Sequence, residues 1–96
     1  MKKYIAEFVG TLIFLLVILH VTQEKANWKE LTPLLIAVGL LAGIAISAGV
    51  SGAHLNPAVS TMMALKGSLS TVDYLPYVGA QLLGGATAYY VYSQLN

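Results

Sequence analysis

Ser51-Gly-Ala-His-Leu-Asn-Pro-Ala-Val-Ser60 is the stretch whose reading decides the fold. Proline at a first helical position has no N–H to leave unpaired and its φ is preset for helix, while Asn56 before it is a favoured N-cap, so a helix is predicted to start at Pro57. It cannot run far, because Gly67, Ser68, Ser70 and Thr71 follow Lys66. That leaves about ten residues, or about 15 Å at 1.5 Å each, half of a roughly 30 Å hydrocarbon core. Yet Ala53, Leu55, Ala58, Val59, Met62, Met63, Ala64 and Leu65 are too apolar for an exposed loop. A re-entrant element over about residues 51–66 reconciles the two facts: an extended stretch dips inward and a half-helix returns to the side it came from. Non-helical backbone at membrane depth is tolerated only inside protein or along a water-filled cavity, so the segment predicts a cavity.

The rest of the chain supplies the membrane. Of 96 residues 57% are hydrophobic and 9% charged, with mean hydropathy +0.74, where a soluble domain carries about 25% charged residues. A soluble enzyme is excluded on that ground. Five basic and four acidic residues, net +1, make no electrostatic footprint for a nucleic acid. Without cysteine, and with His20 and His54 far apart, neither a metal centre nor a cofactor is expected. Charge-free runs place spans at about residues 5–21, 32–50 and 72–93. Lys2-Lys3 ahead of an apolar run imitates a signal peptide, but no small-x-small cleavage site follows, so a retained span is expected. A short polar loop over about residues 22–31 puts Trp28 at headgroup level, and His20 falls at the same interface. Small residues at helical spacing (Ala6 and Gly10; Gly39, Gly43 and Ser47; Ala80, Gly84 and Ala88) read as seams for helix packing. The fold class is thus an all-α integral membrane domain over 1–96, with three transmembrane helices plus one re-entrant half-helix.

The cap has chemical content. If Asn56 Oδ1 accepts from the backbone N–H of Ala58 or Val59, the side-chain amide is left with two free donors. The half-helix N-terminus adds partial positive charge there. Before it, the carbonyls of Gly52, Ala53 and His54 lack helical partners and form a candidate acceptor ladder. Glu7, one turn inside the first span, is an intramembrane acid and a functional candidate by default; the alternative is that it snorkels beside Lys3.

Ala48-Gly-Val-Ser-Gly-Ala-His-Leu-Asn-Pro-Ala-Val59 resembles the first signature loop of the aquaporin and glycerol-facilitator (major intrinsic protein) family. Ala6-Glu-Phe-Val-Gly-Thr11 and Tyr77-Val-Gly-Ala-Gln-Leu-Leu-Gly-Gly85 resemble family segments in the same order. The resemblance implies a passive channel for water or small polyols such as glycerol, built as an inverted repeat of six spans and two half-helices. It implies that Glu7 holds the backbone of the re-entrant loop, and that Gln81 braces the same loop or makes a helix-to-helix hydrogen bond. It implies that His54 turns its carbonyl to the pore with the imidazole packed behind. Aligned from Asn56, the family's bulky filter position falls at Ile36, or at Val38 if the register shifts; neither is aromatic.

The chain departs from the family in carrying one Asn-Pro-Ala, Asn56-Pro57-Ala58, and Val59 stands where the second signature has arginine. Half an inverted repeat is expected to be completed by a second copy in antiparallel orientation, two Asn56 meeting across a two-fold axis in the membrane plane. Lys2, Lys3 and Lys66 on one side against Lys25 and Lys29 on the other leave orientation nearly unbiased, which such pairing requires. The expected partners are therefore the bilayer, a second copy and a neutral solute, in a multi-pass protein of the cell membrane. Two other readings stand beside it: a dual-topology, proton-coupled exporter working through Glu7, and an accessory half needing another protein's complementary repeat.

Overall fold

A computed structural model describes residues 1–24 and 27–95, and among them every regular element is helical. The order is α1 (Lys2–Val21), a single 3-10 turn (Lys29–Leu31), α2 (Thr32–Ser51), α3 (Pro57–Lys66) and α4 (Thr71–Leu95). The expected spans lie within α1, α2 and α4. Lys25, counted above in the first loop, lies outside the described residues. Local chemistry sets the ends. Gly52 (φ 88°) closes α2 with its N–H on Ala48 O, and Gly67 (φ 92°) closes α3; the left-handed backbone at both positions suits glycine. Ser70 starts α4 by accepting from Asp73 N at 3.2 Å.

α1 lies between α2 and α4, and α3 packs on α4. Glycine permits the close crossings: a Cβ at Gly43 would lie 2.9 Å from Gly10 O, and one at Gly84 would lie 2.9 Å from Phe8 O. Both obstacles are backbone, which cannot step aside. Close approach of this kind is what holds helices together where lipid removes the hydrophobic drive.

Polar contacts fix the direction of each helix. Asp73 accepts from Lys3 Nζ at 2.7 Å and from Tyr4 OH at 2.6 Å, tying the first turn of α4 to the first turn of α1. Ser51, the last residue of α2, donates to Glu7 at 2.6 Å. The start of α1, the end of α2 and the start of α4 therefore share one end of the molecule.

Among the described residues, two stretches, Lys2–Val21 and Lys29–Ser51, are long and apolar enough to cross a membrane. α4 is longer, at 25 residues, but carries more polar side chains. It buries Tyr77, Gln81, Gly84 and Ala88 and leaves Leu75, Leu82 and Leu83 exposed, with Tyr89 and Tyr90 exposed toward its C-terminal end.

Candidate functional site

Between α2 and α3 the backbone of residues 52–56 is irregular and partly left-handed. Ala53 (φ 54°) and Leu55 (φ 56°) occupy a region that costs a residue with a Cβ about 1–2 kcal/mol. Glu7 holds them there. Its side chain is fully buried; Oε2 accepts from Ser51 Oγ at 2.6 Å and His54 N at 2.9 Å, and Oε1 accepts from Leu55 N and Gln81 Nε2, each at 2.8 Å. Four donors meet two oxygens, the match for a carboxylate's acceptor-only chemistry.

Leu55 shows which way the loop turns. A Cβ added at Gly10 would lie 2.7 Å from Leu55 Cδ2, and one at Gly43 would lie 2.9 Å from Leu55 Cδ1. Gly43 stands nine residues before Gly52, about 13 Å back along α2. The chain therefore leaves α2 and doubles back beside it, seating Leu55 on the crossing of α1 and α2. α3 then returns along α4: Gln81 Nε2 donates to Ser60 Oγ at 2.9 Å, and Tyr74 OH lies 2.7 Å from Thr61 Oγ1.

Gln81 is thus the keystone between loop and half-helix, its amide nitrogen shared between Glu7 and Ser60. His54 Nδ1 reaches the same Ser60 Oγ at 2.8 Å, and the imidazole leans on Tyr77, ring centres 5.1 Å apart. Tyr77 OH donates to Ser51 O at 2.7 Å, which covers the last turn of α2. With these side chains in place, no described residue donates to the carbonyls of Gly52, Ala53 or His54.

Asn56 stands at the turning point. Its Oδ1 accepts from Ala58 N at 2.8 Å, so the cap consumes the oxygen, and among the described residues nothing accepts from its amide nitrogen. Asn56 is exposed and, with Leu55 and Pro57, borders a cavity of about 420 Å³ walled by Thr11, Phe14 and Leu15 of α1 and by Gln81, Leu82, Gly85 and Ala86 of α4. These wall residues lie near the middle of α1 and α4, so the N-terminus of α3 and its partial positive charge sit at mid-length of the bundle. Pro57 and Ala58 form the first turn of α3, and Val59 follows, half-buried. Ile36 is not brought into this cluster. It is half-buried in the second turn of α2, sixteen residues and about 24 Å of helix from Gly52; Val38 is exposed.

Sequence reasoning missed Ser51, Leu55, Ser60 and Tyr77 as working residues. Ser60 had a signal: it is a polar residue flanked by Ala58, Val59, Met62 and Met63 in a half-helix that has to be buried. Leu55 had none, since its role depends on where Gly10 and Gly43 cross.

Comparison with known proteins places this geometry. The family described as major intrinsic protein matches residues 1–95. A glycerol uptake facilitator protein-like 6 of Lactiplantibacillus plantarum is 36% identical over 94 residues, 92% of this chain and 41% of the relative. A glycerol uptake facilitator protein of Streptococcus pneumoniae is 38% identical over 92 residues, covering 88% of this chain and 39% of the relative. Aquaporin-3 of Milnesium tardigradum is 37% identical over 95 residues, covering 83% of this chain and 28% of the relative. The chain therefore spans well under half the length of these relatives. No solved structure matches the chain.

Proposed function

Because the chain belongs to the major intrinsic protein family, we propose that it forms half of a passive transmembrane channel for water and glycerol-like neutral solutes, and that a second, antiparallel copy completes the pore. In this reading α1, α2 and α4 cross the bilayer and residues 51–66 form the re-entrant loop and half-helix, the whole chain being one half-repeat. α4 crosses despite its lower hydropathy because Tyr77 and Gln81 are buried while Leu82 and Leu83 face outward, and its exposed Tyr89 and Tyr90 stand toward the C-terminal end, where tyrosine suits the membrane interface.

The observation that carries the reading is Asn56: its oxygen is consumed by the cap and its amide donors are free at mid-length of the bundle, beside a cavity. A solute oxygen is received there by the amide and by the half-helix N-terminus, while its hydrogens turn toward the carbonyl ladder of Gly52, Ala53 and His54. Two Asn56 donors acting on one central water orient its hydrogens outward and interrupt proton relay, and the positive helix ends repel cations. With Ile36 or Val38 at the filter and Val59 in the place of an arginine, the constriction is apolar, which favours neutral solutes, polyols among them. No covalent step is involved, so the protein is a channel and not an enzyme.

The engagement of Glu7 supports passive conduction over proton-coupled export, because both of its oxygens are occupied by the loop and the side chain is fully buried. The test is osmotic swelling and proton leak in proteoliposomes of the wild type and of Asn56→Ala and Asn56→Asp. Impaired flux or lost proton exclusion is expected; swelling and leak both unchanged by either substitution would sink the proposal. A cysteine at position 56 reports the pairing: crosslinking between two chains in the membrane is expected, whereas a chain that is only ever monomeric favours a complementary repeat from another protein.

A further inference from the structure

Thr11 and Gln81 are each 2% exposed, yet Thr11 Oγ1 and Gln81 Oε1 have no hydrogen-bond partner among the described residues. The orientation of the Gln81 amide is set by chemistry: its nitrogen must face Glu7, which only accepts, so its oxygen is left over. Thr11 follows Glu7 by one turn on the same face of α1, and a Cβ at Gly84 would lie 3.1 Å from Thr11 Cβ. Gly84 follows Gln81 by one turn on α4. Thr11 therefore lies on the face of α1 that meets α4, one turn beyond the Glu7–Gln81 bond, Gln81 Oε1 belongs to the amide that makes that bond, and both residues line the same cavity of about 420 Å³.

We infer that the chain holds a resident water molecule between Thr11 Oγ1 and Gln81 Oε1, and that through it Thr11 is a positioning residue for the re-entrant loop. A buried amide oxygen without a donor is costly at membrane depth. A water answers both groups at once, giving one hydrogen to Gln81 Oε1 and accepting the Thr11 hydroxyl hydrogen. Thr11 and Gln81 both wall the cavity that supplies the water, and two polar partners meet the minimum such a site needs. The consequence is mechanical: with its oxygen held, the Gln81 side chain is fixed on three sides, and so are the donors it gives to Glu7 and Ser60. The inference concerns atoms of one chain, and it stands or falls apart from conduction and from pairing.

The experiment is a high-resolution structure of the wild type, prepared without polyol, together with hydrogen exchange of the wild type, Thr11→Ser and Thr11→Val. The expected result is density for one water at about 2.7–3.1 Å from both atoms, with exchange of the His54 and Leu55 amides faster by up to about tenfold in Thr11→Val, the loss of roughly one hydrogen bond, and near wild type in Thr11→Ser. A direct Thr11–Gln81 hydrogen bond, or a side chain of a second copy in the water's place, overturns the inference. So does equal exchange in all three proteins. Should Thr11→Val fail to fold, the wild-type density alone decides.

Discussion

Glu7 receives four hydrogen bonds and offers none, so its neutral isostere is a sharp probe. In Glu7→Gln one oxygen becomes an N–H₂ group, which must face either Ser51 Oγ and His54 N or Leu55 N and Gln81 Nε2. Whichever pair it meets, at least one backbone donor of the loop is left opposite another donor. Hydrogen bonds to charged groups contribute about 1.5–3 kcal/mol each, so a loss of about 3 kcal/mol or more is expected. That exceeds the about 1–2 kcal/mol that either left-handed residue costs, so the loop is expected to leave this conformation. The measurements are thermal melting in detergent and amide exchange at His54 and Leu55; wild-type exchange at both amides would show that something other than Glu7 holds the loop. Leu55→Ala tests the other anchor, with about 2–5 kcal/mol expected for a buried leucine and flux falling as the loop loosens. At this scale the Asn56 cap was legible because it is local: the cap, the proline and the Ala58 N–H that donates to the cap oxygen lie within three residues. The partners of Glu7 were not legible from spacing, since they arrive from positions 44 to 74 residues away, and only family resemblance pointed toward them.

Helix ends and helix seams differ in how far they can be read. The ends of α2 and α3 follow from Gly52 and Gly67 and the start of α3 from Asn56-Pro57, all punctuation written locally. The small residues announced seams without naming their partners: Gly43 meets Gly10 on α1, Gly39 meets Val17, and Gly84 meets Phe8 and Thr11. Gly49 looks the same in sequence, yet a Cβ there has nothing within 4 Å. This separates two substitutions that composition treats alike. Gly43→Ala places a Cβ 2.9 Å from Gly10 O and 2.9 Å from Leu55 Cδ1, so α1 and α2 must part and Leu55 must move; about 1–3 kcal/mol of destabilisation is expected. Gly49→Ala is expected to be neutral or to stabilise by up to about 1 kcal/mol through helix propensity. Melting temperatures of the two variants, measured in one detergent, check the pair. Equal losses would mean that α2 packs through a different face from the one described.

For the whole molecule, the helix directions put Lys2, Lys3 and Lys66 at one end and Lys29 at the other, and Lys25 joins Lys29 by its place in the sequence. Orientation in a membrane follows this bias in Lys and Arg, and three against two is too even to impose one. An antiparallel pair needs both orientations from one gene product, so the near balance is a requirement of the proposed pore that can be broken deliberately. Replacing Lys2 and Lys66 by Gln and Asn27 by Lys changes the count to one against three; replacing Lys29 by Gln and Ser68 by Lys changes it to four against one. All five positions are exposed, so the fold has no reason to suffer. Each variant expressed alone is expected to insert in one orientation and to give osmotic swelling near background, because every Asn56 then approaches from the same side. Expressed together, the two variants supply both halves of the inverted pair, and swelling is expected to return toward the wild-type rate. Full flux from either variant alone, or no recovery from the mixture once opposite insertion has been verified by accessibility labelling, would rule out the antiparallel pore and leave a complementary repeat from another protein as the missing half.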